Sequence, residues 1–274
     1  MQTTEKINGV DVYVRSFGDP ALPLLVIVHG GPTWDHSYLL PAAELADVAH
    51  VVFLDLRGCG RSAQDVELQP DLIADDVAAL IRSRGAGRAD VLGFSYGGGV
   101  VMRLAEQHPD VVGRLILAST TAYPEMEAEV PAERAALCGE VDWADPAYEG
   151  IDGALSRALA EAYLPTAIWR LDRADEWRTV LAGTRFTSAW NTPYAQGKLK
   201  PARPADPPGV LNRWGGKVLI LHGEREMTFP VAAARRLHAE VPASSLVLVP
   251  EAAHMAQFDN PVVWLAAIRQ FLRG

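Results

Sequence analysis

The chain has 274 residues, 49% of them apolar and 22% charged, which suits an enzyme built on one core, or on one core with an insertion. A net charge of −9 and an isoelectric point near 5.3 exclude the basic face that phosphate binding needs, so no nucleic-acid partner is expected. Two cysteines, Cys59 and Cys138, are too few for a disulfide framework or a zinc site, the N-terminus lacks a signal-peptide apolar core, and no apolar run approaches the ~18–20 residues of a membrane span; a cytoplasmic protein with no metal and no membrane partner is expected.

Residues 10–16 alternate as an edge strand, with Val10, Val12 and Val14 on one face. Residues 24–28 form a continuous apolar run, the pattern of a strand buried on both faces, and end in His29-Gly30-Gly31-Pro32. A second such run, 51–54, leads into Asp55-Leu56-Arg57-Gly58-Cys59-Gly60-Arg61-Ser62. Leu72, Ile73, Val77, Leu80 and Ile81 recur at helical spacing. The run 89–92 precedes Gly93-Phe94-Ser95-Tyr96-Gly97 and a helical stretch to Gln107, and 115–118 is a further strand. From about 121 to 211 the alternation stops. That segment is rich in Ala, Glu, Asp, Arg, Trp and Tyr and ends in a proline-rich return at 200–209. It predicts an all-helical insertion over the crevice at the strand ends, leaving 1–120 and 212–274 as the core. Strands at 218–221 and 246–249 then alternate with helices at 231–240 and 262–272, which open at Pro230 and Pro261. Strands alternating with helices imply a mostly parallel sheet covered on both faces.

Gly-x-Ser-x-Gly between a strand and a helix is a nucleophile elbow. The tight turn pushes the serine hydroxyl out of the sheet, and glycines are needed where strand and helix come too close for side chains. Ser95 is the candidate nucleophile. The glycine turn after residue 28 offers free N–H groups to an oxyanion, with Gly31 favoured and Gly30 as fallback; Tyr96, the residue after the serine, supplies the second donor. His254, at the end of the last strand, is the candidate base, because His29, His50, His108, His222 and His238 sit where turns, strand starts or helix ends explain them. The acid belongs in the loop after 217–221, where Glu226 is favoured over Glu224. The order Ser95, Glu226, His254 is the nucleophile–acid–base order of one hydrolase arrangement. Trp34, His36 and Phe94 beside these turns, and Tyr123, Trp169 and Trp190 in the insertion, are candidate substrate-binding residues. Asp55 to Ser62 reads as a structural loop tied down by Arg57, and the acidic run between Glu125 and Asp152 as a solvated helix face.

These motifs resemble the α/β-hydrolase superfamily. Within it, His29-Gly30-Gly31-Pro32 and Asp55 to Ser62 are similar to the corresponding stretches of proline iminopeptidases. The resemblance implies an α/β-hydrolase fold: a mostly parallel eight-stranded sheet, helices on both faces and an inserted helical cap. It also implies a cofactor-independent serine hydrolase acting through an acyl-enzyme on an ester or amide of a small molecule or short peptide. Ser95 would be its nucleophile, His254 its base, Glu226 its acid, and Gly31 and Tyr96 its oxyanion donors. The chain departs from proline iminopeptidases at Thr33, Tyr96 and Glu226, where that family usually has Gly, Trp and Asp. Non-hydrolytic chemistry on the same fold (a lyase, cyclase or acyltransferase) is the alternative.

Overall fold

The computed structural model describes all 274 residues. Eight strands form one mixed, mostly parallel sheet: β1 (Gln2–Ile7), β2 (Val10–Phe17), β3 (Leu24–Val28), β4 (His50–Leu54), β5 (Ala89–Phe94), β6 (Val112–Ala118), β7 (Val218–Gly223) and β8 (Ser244–Val249). Their order is β1-β2-β4-β3-β5-β6-β7-β8. Only the β1–β2 and β2–β4 pairs are antiparallel. Residues 10–16, expected at the sheet edge, lie one strand inside it. The edge is β1, whose polar Thr, Glu and Lys residues gave no apolar run. An Asn8-Gly9 turn, with φ of 48° and 80°, joins the two strands, the two-residue hairpin that Asn-Gly favours.

Period-2 side chains divide the interior into two layers. On β3, Leu24, Val26 and Val28 enter one cluster while Leu25 and Ile27 enter the other. The first layer holds α1 (Pro70–Ser83) and α2 (Tyr96–Gln107). The second holds a 3₁₀ segment at His36–Asp47. Between β6 and β7 the chain carries helices only, the longer being α3 (Ala154–Ala162), α4 (Ala174–Gly183) and α5 (Pro207–Trp214). After β7 come α6 (Val231–Glu240) on the first layer and, after β8, α7 (Pro261–Arg273) on the second. The boundary expected at residue 211 falls inside α5. Val210 and Leu211 of that helix pack in the first layer, so α5 covers the sheet rather than the crevice.

The Asp55–Ser62 loop is held from beneath. Arg57 forks onto Asp76 of α1 through two 2.8 Å hydrogen bonds, with both side chains nearly fully buried. Asp76 sits on the apolar face of α1, an exception that the helical periodicity conceals until its partner is seen. Asp76→Ala strands a buried guanidinium, which costs about 3–5 kcal/mol. Urea denaturation is expected to show a lower midpoint at unchanged slope.

Candidate active site

Ser95 is the residue between β5 and α2. Its backbone is left-handed (φ 54°, ψ −118°), a conformation that costs a non-glycine residue roughly 1–3 kcal/mol. The neighbourhood enforces it. A Cβ on Gly93 would run into the Gly97 carbonyl and Val101, and one on Gly97 into the Val28 and His29 carbonyls. The Ser95 carbonyl accepts from Thr120 Oγ1 (2.7 Å) and from the Gly98 N–H (2.9 Å). A peptide is planar and trans, so its C=O and N–H point opposite ways. Fixing the Ser95 carbonyl therefore aims the Tyr96 N–H away from Thr120, and no acceptor in the protein takes it.

The turn after β3 uses the same device. His29 Nε2 accepts from the Leu56 N–H (3.0 Å), so the ring proton is on Nδ1, which donates to the Gly30 carbonyl (2.8 Å). Burial pushes His29 below its ordinary value, which keeps this neutral tautomer. That bond orients the Gly30–Gly31 peptide and with it the Gly31 N–H, which has no acceptor within the protein. The Gly30 N–H instead donates to Tyr38 Oη (2.8 Å), so Gly30, the fallback donor, is already engaged. Cys59 Sγ donates to the Pro32 carbonyl at 3.2 Å. Burial pushes this thiol up, so Cys59 buttresses the turn as a neutral thiol.

His254 lies with Nε2 3.1 Å from Ser95 Oγ and Nδ1 3.1 Å from both carboxylate oxygens of Glu226. Burial pushes the Glu226 carboxyl up. The His254 charge and hydrogen bond, His222 and the Thr228 N–H together outweigh this, and it is held below its ordinary value. An ionised carboxylate only accepts, so Nδ1 carries the proton and Nε2 is free to take one from Ser95. Glu224 is exposed to solvent. The imidazole is flanked edge-on by Phe94 and Phe229. Asp259 fixes the His254 loop by accepting from the Ala253 N–H (2.9 Å), and it ties down the helical segment through the Trp169 and Arg170 N–H groups (2.9 and 3.1 Å). Nothing in the local sequence marks Asp259 or Thr120, because both act on backbone brought in from other elements.

Above Ser95 and His254 lies a cavity of about 430 Å³. Trp34, Phe94 and Trp190 line it, as do Tyr38, Tyr163 and Tyr194, which the sequence reading did not single out as substrate-binding candidates. Three candidates lie elsewhere. His36 is buried beneath the turn, where its Nδ1 and N–H both face Asp55. Tyr123 donates to Glu240 (2.7 Å) and stacks under Arg236, beside a different, polar cleft. Trp169 has the guanidinium groups of Arg134 and Arg225 over its ring, at 4.6 and 5.3 Å. An aromatic has apolar faces that a guanidinium covers as readily as a substrate does, so composition alone could not separate these from lining residues. The acidic residues between Glu125 and Asp152 stand outside the cavity, mostly exposed and, apart from Glu133, on loops and turns rather than on the expected helix face, because short turns interrupt the helix there. No group of three or more His, Cys, Asp or Glu side chains is placed to hold a metal ion. No helix is long and apolar enough to cross a membrane.

A family model described as alpha/beta hydrolase fold matches residues 23–261. The 2-(acetamidomethylene)succinate hydrolase of Mesorhizobium japonicum is 28% identical over 97% of this chain and 93% of its own. A proline iminopeptidase of Levilactobacillus brevis is 26% identical over 97% and 94%. Among solved structures, the enol-lactonase from Burkholderia xenovorans LB400 superposes with a TM-score of 0.76 at 23% identity, covering 99% of this chain and all of that one.

The Glu226 carboxylate has a testable signature in stability. Its folded value lies below its ordinary 4.5. The ionised group therefore stabilises the fold in full above about pH 5, and this is lost as pH falls through the folded value. The stability difference between the protein and Glu226→Gln, from urea denaturation across pH, is expected to be flat down to about pH 5 and to shrink below it. A difference independent of pH would contradict the ionised pairing.

Proposed function

Because the chain belongs to the alpha/beta hydrolase fold family, we propose that it is a serine hydrolase that cleaves small, uncharged, largely apolar esters or lactones through an acyl-enzyme. Ser95 Oγ attacks the carbonyl carbon as His254 Nε2 takes its proton, and Glu226 stabilises the imidazolium without itself being protonated. The Gly31 and Tyr96 N–H groups hold the oxyanion. The intermediate collapses, His254 protonates the departing alkoxide, and water activated by the same imidazole releases the acid.

One observation carries the choice of substrate: the lining of the cavity at Ser95 contains no Asp, Glu, Lys or Arg. A free amino terminus brought into this space would meet no carboxylate, and a substrate carboxylate would meet no cation. Burying either charge unpaired costs several kcal/mol. This weighs against the aminopeptidase reading that the His29–Pro32 and Asp55–Ser62 stretches suggested. The volume is within the ~300–1,000 Å³ range of small-molecule sites.

Three measurements test the proposal together. The protein is expected to hydrolyse p-nitrophenyl butyrate, to be labelled at Ser95 by a fluorophosphonate, and to leave proline p-nitroanilide intact. Ser95→Ala is expected to lower kcat by about 10⁶-fold. Full activity of Ser95→Ala would overturn the mechanism; turnover of the anilide at rates matching the ester would overturn the substrate class.

A further inference from the structure

Tyr38 comes from the 3₁₀ segment that follows the Gly30–Gly31 turn. It is 3% exposed and is held edge-on between Trp34 and Phe94. Its oxygen accepts the Gly30 N–H at 2.8 Å. A phenol has one more hydrogen-bonding obligation, its own proton. That proton has no acceptor in the protein: Tyr38 Oη appears in the hydrogen-bond network as an acceptor alone. Buried donors are almost always satisfied, and Tyr38 lines the cavity above Ser95. The cavity is therefore where this proton finds its partner.

The distances suit a reacting oxygen. A Cβ placed on Gly30 would sit 2.7 Å from Ser95 Cβ and 3.2 Å from Tyr38 Oη. The hydroxyl and the Ser95 Cβ are therefore within about 6 Å of each other. A substrate oxygen bonded through carbon to Ser95 Oγ lies about 3 Å from that Cβ and can be in hydrogen-bond range, about 2.7 Å, of the phenol. We propose that the Tyr38 hydroxyl is a third oxyanion donor, acting on the same substrate oxygen as the Gly31 and Tyr96 N–H groups. It accepts the Gly30 N–H on its oxygen and donates its own hydroxyl hydrogen bond to the substrate oxygen, keeping the proton, and each bond in such a chain polarises the next. Burial keeps the phenol protonated by pushing it far above its ordinary value, so it donates throughout the working pH range. No covalent bond to Tyr38 forms or breaks.

This inference rests on the acyl-enzyme reading, and the experiment separates the two. Tyr38→Phe keeps the ring and removes the proton. It is expected to lower kcat on p-nitrophenyl butyrate about 10²-fold, the scale of losing one oxyanion donor, with KM little changed. Loss of the Gly30 acceptor alone would also slow the variant, so the deciding measurement keeps both groups. With 3-fluorotyrosine at position 38, the phenol is a stronger donor and a weaker acceptor. A trifluoromethyl ketone, which forms a hemiketal oxyanion on Ser95, is expected to bind the fluorinated protein more tightly. Unchanged or weaker binding would overturn the proposal and leave Tyr38 as a support for Gly30. Retained ester hydrolysis by Ser95→Ala would instead defeat the acyl-enzyme itself, whatever Tyr38 does.

Discussion

The site depends on a lack of clearance around Ser95. The end of β3, the end of β5 and the start of α2 meet backbone to backbone, and the positions where side chains would grow on Gly93 and Gly97 are already filled by carbonyl groups and Val101. This crowding holds Ser95 in a left-handed conformation that it would otherwise leave. It also makes the geometry rigid, since neither element can shift without collision. Two peptide planes are then locked by their carbonyls, Ser95–Tyr96 by Thr120 and Gly98, and Gly30–Gly31 by His29. The free N–H groups of these planes are aimed by bonds made on their far sides. Donors fixed in advance cost no reorganisation when charge develops, which is where such sites gain most.

Around this centre a buried polar network carries the turn. Asp55 receives the N–H and Nδ1 of His36 and the N–H of Arg61, while Arg61 Nη1 reaches Asp35 at 2.8 Å. Burial pushes the Asp55 carboxyl up, but the hydrogen bonds from His36 and from the Arg61 N–H help to hold it below its ordinary value. The helical segment is fastened to the same loops. Thr187 bonds to the Thr33 and Gly58 carbonyls, and Trp190 Nε1 donates to the Arg57 carbonyl. On the opposite side, Met255 N–H donates to the Ala167 carbonyl and Asp259 bridges to Trp169. The cavity roof is thus attached on both sides of Ser95, by the loops that also position the glycine turn and His254.

Much of this was legible in the chain. Continuous apolar runs located β3 through β7 because strands covered on both faces must be apolar throughout, and the run at 246–249 located β8 although that strand forms the other, half-exposed edge of the sheet. The motifs placed Ser95, Glu226 and His254 after the strands that prove to be β5, β7 and β8, and the structure brings those side chains within hydrogen-bond distance. β1 was missed because an edge strand need be apolar on neither face, although Asn8-Gly9 was a usable turn signal. His36, Tyr123 and Trp169 were misplaced for a common reason: each satisfies a partner more than fifteen residues away, Asp55, Glu240 and Arg134 respectively. Residue type shows that such a side chain needs a partner without showing whether the partner is protein or substrate.

The strand pattern, the elbow and the chemical identities available at each turn are written in the order of residues along the chain. These are local properties: apolar periodicity, glycine where no side chain fits, and a serine, a glutamate and a histidine at strand ends. Which groups remain free is settled by the fold. Gly30 is engaged by Tyr38 and Gly31 is not, Glu226 faces His254 while Glu224 faces solvent, and the cavity lining is uncharged although acidic residues crowd the nearby segment between Glu125 and Asp152. Whether a donor is satisfied depends on atoms from distant parts of the chain, and that pairing exists only once the chain has folded.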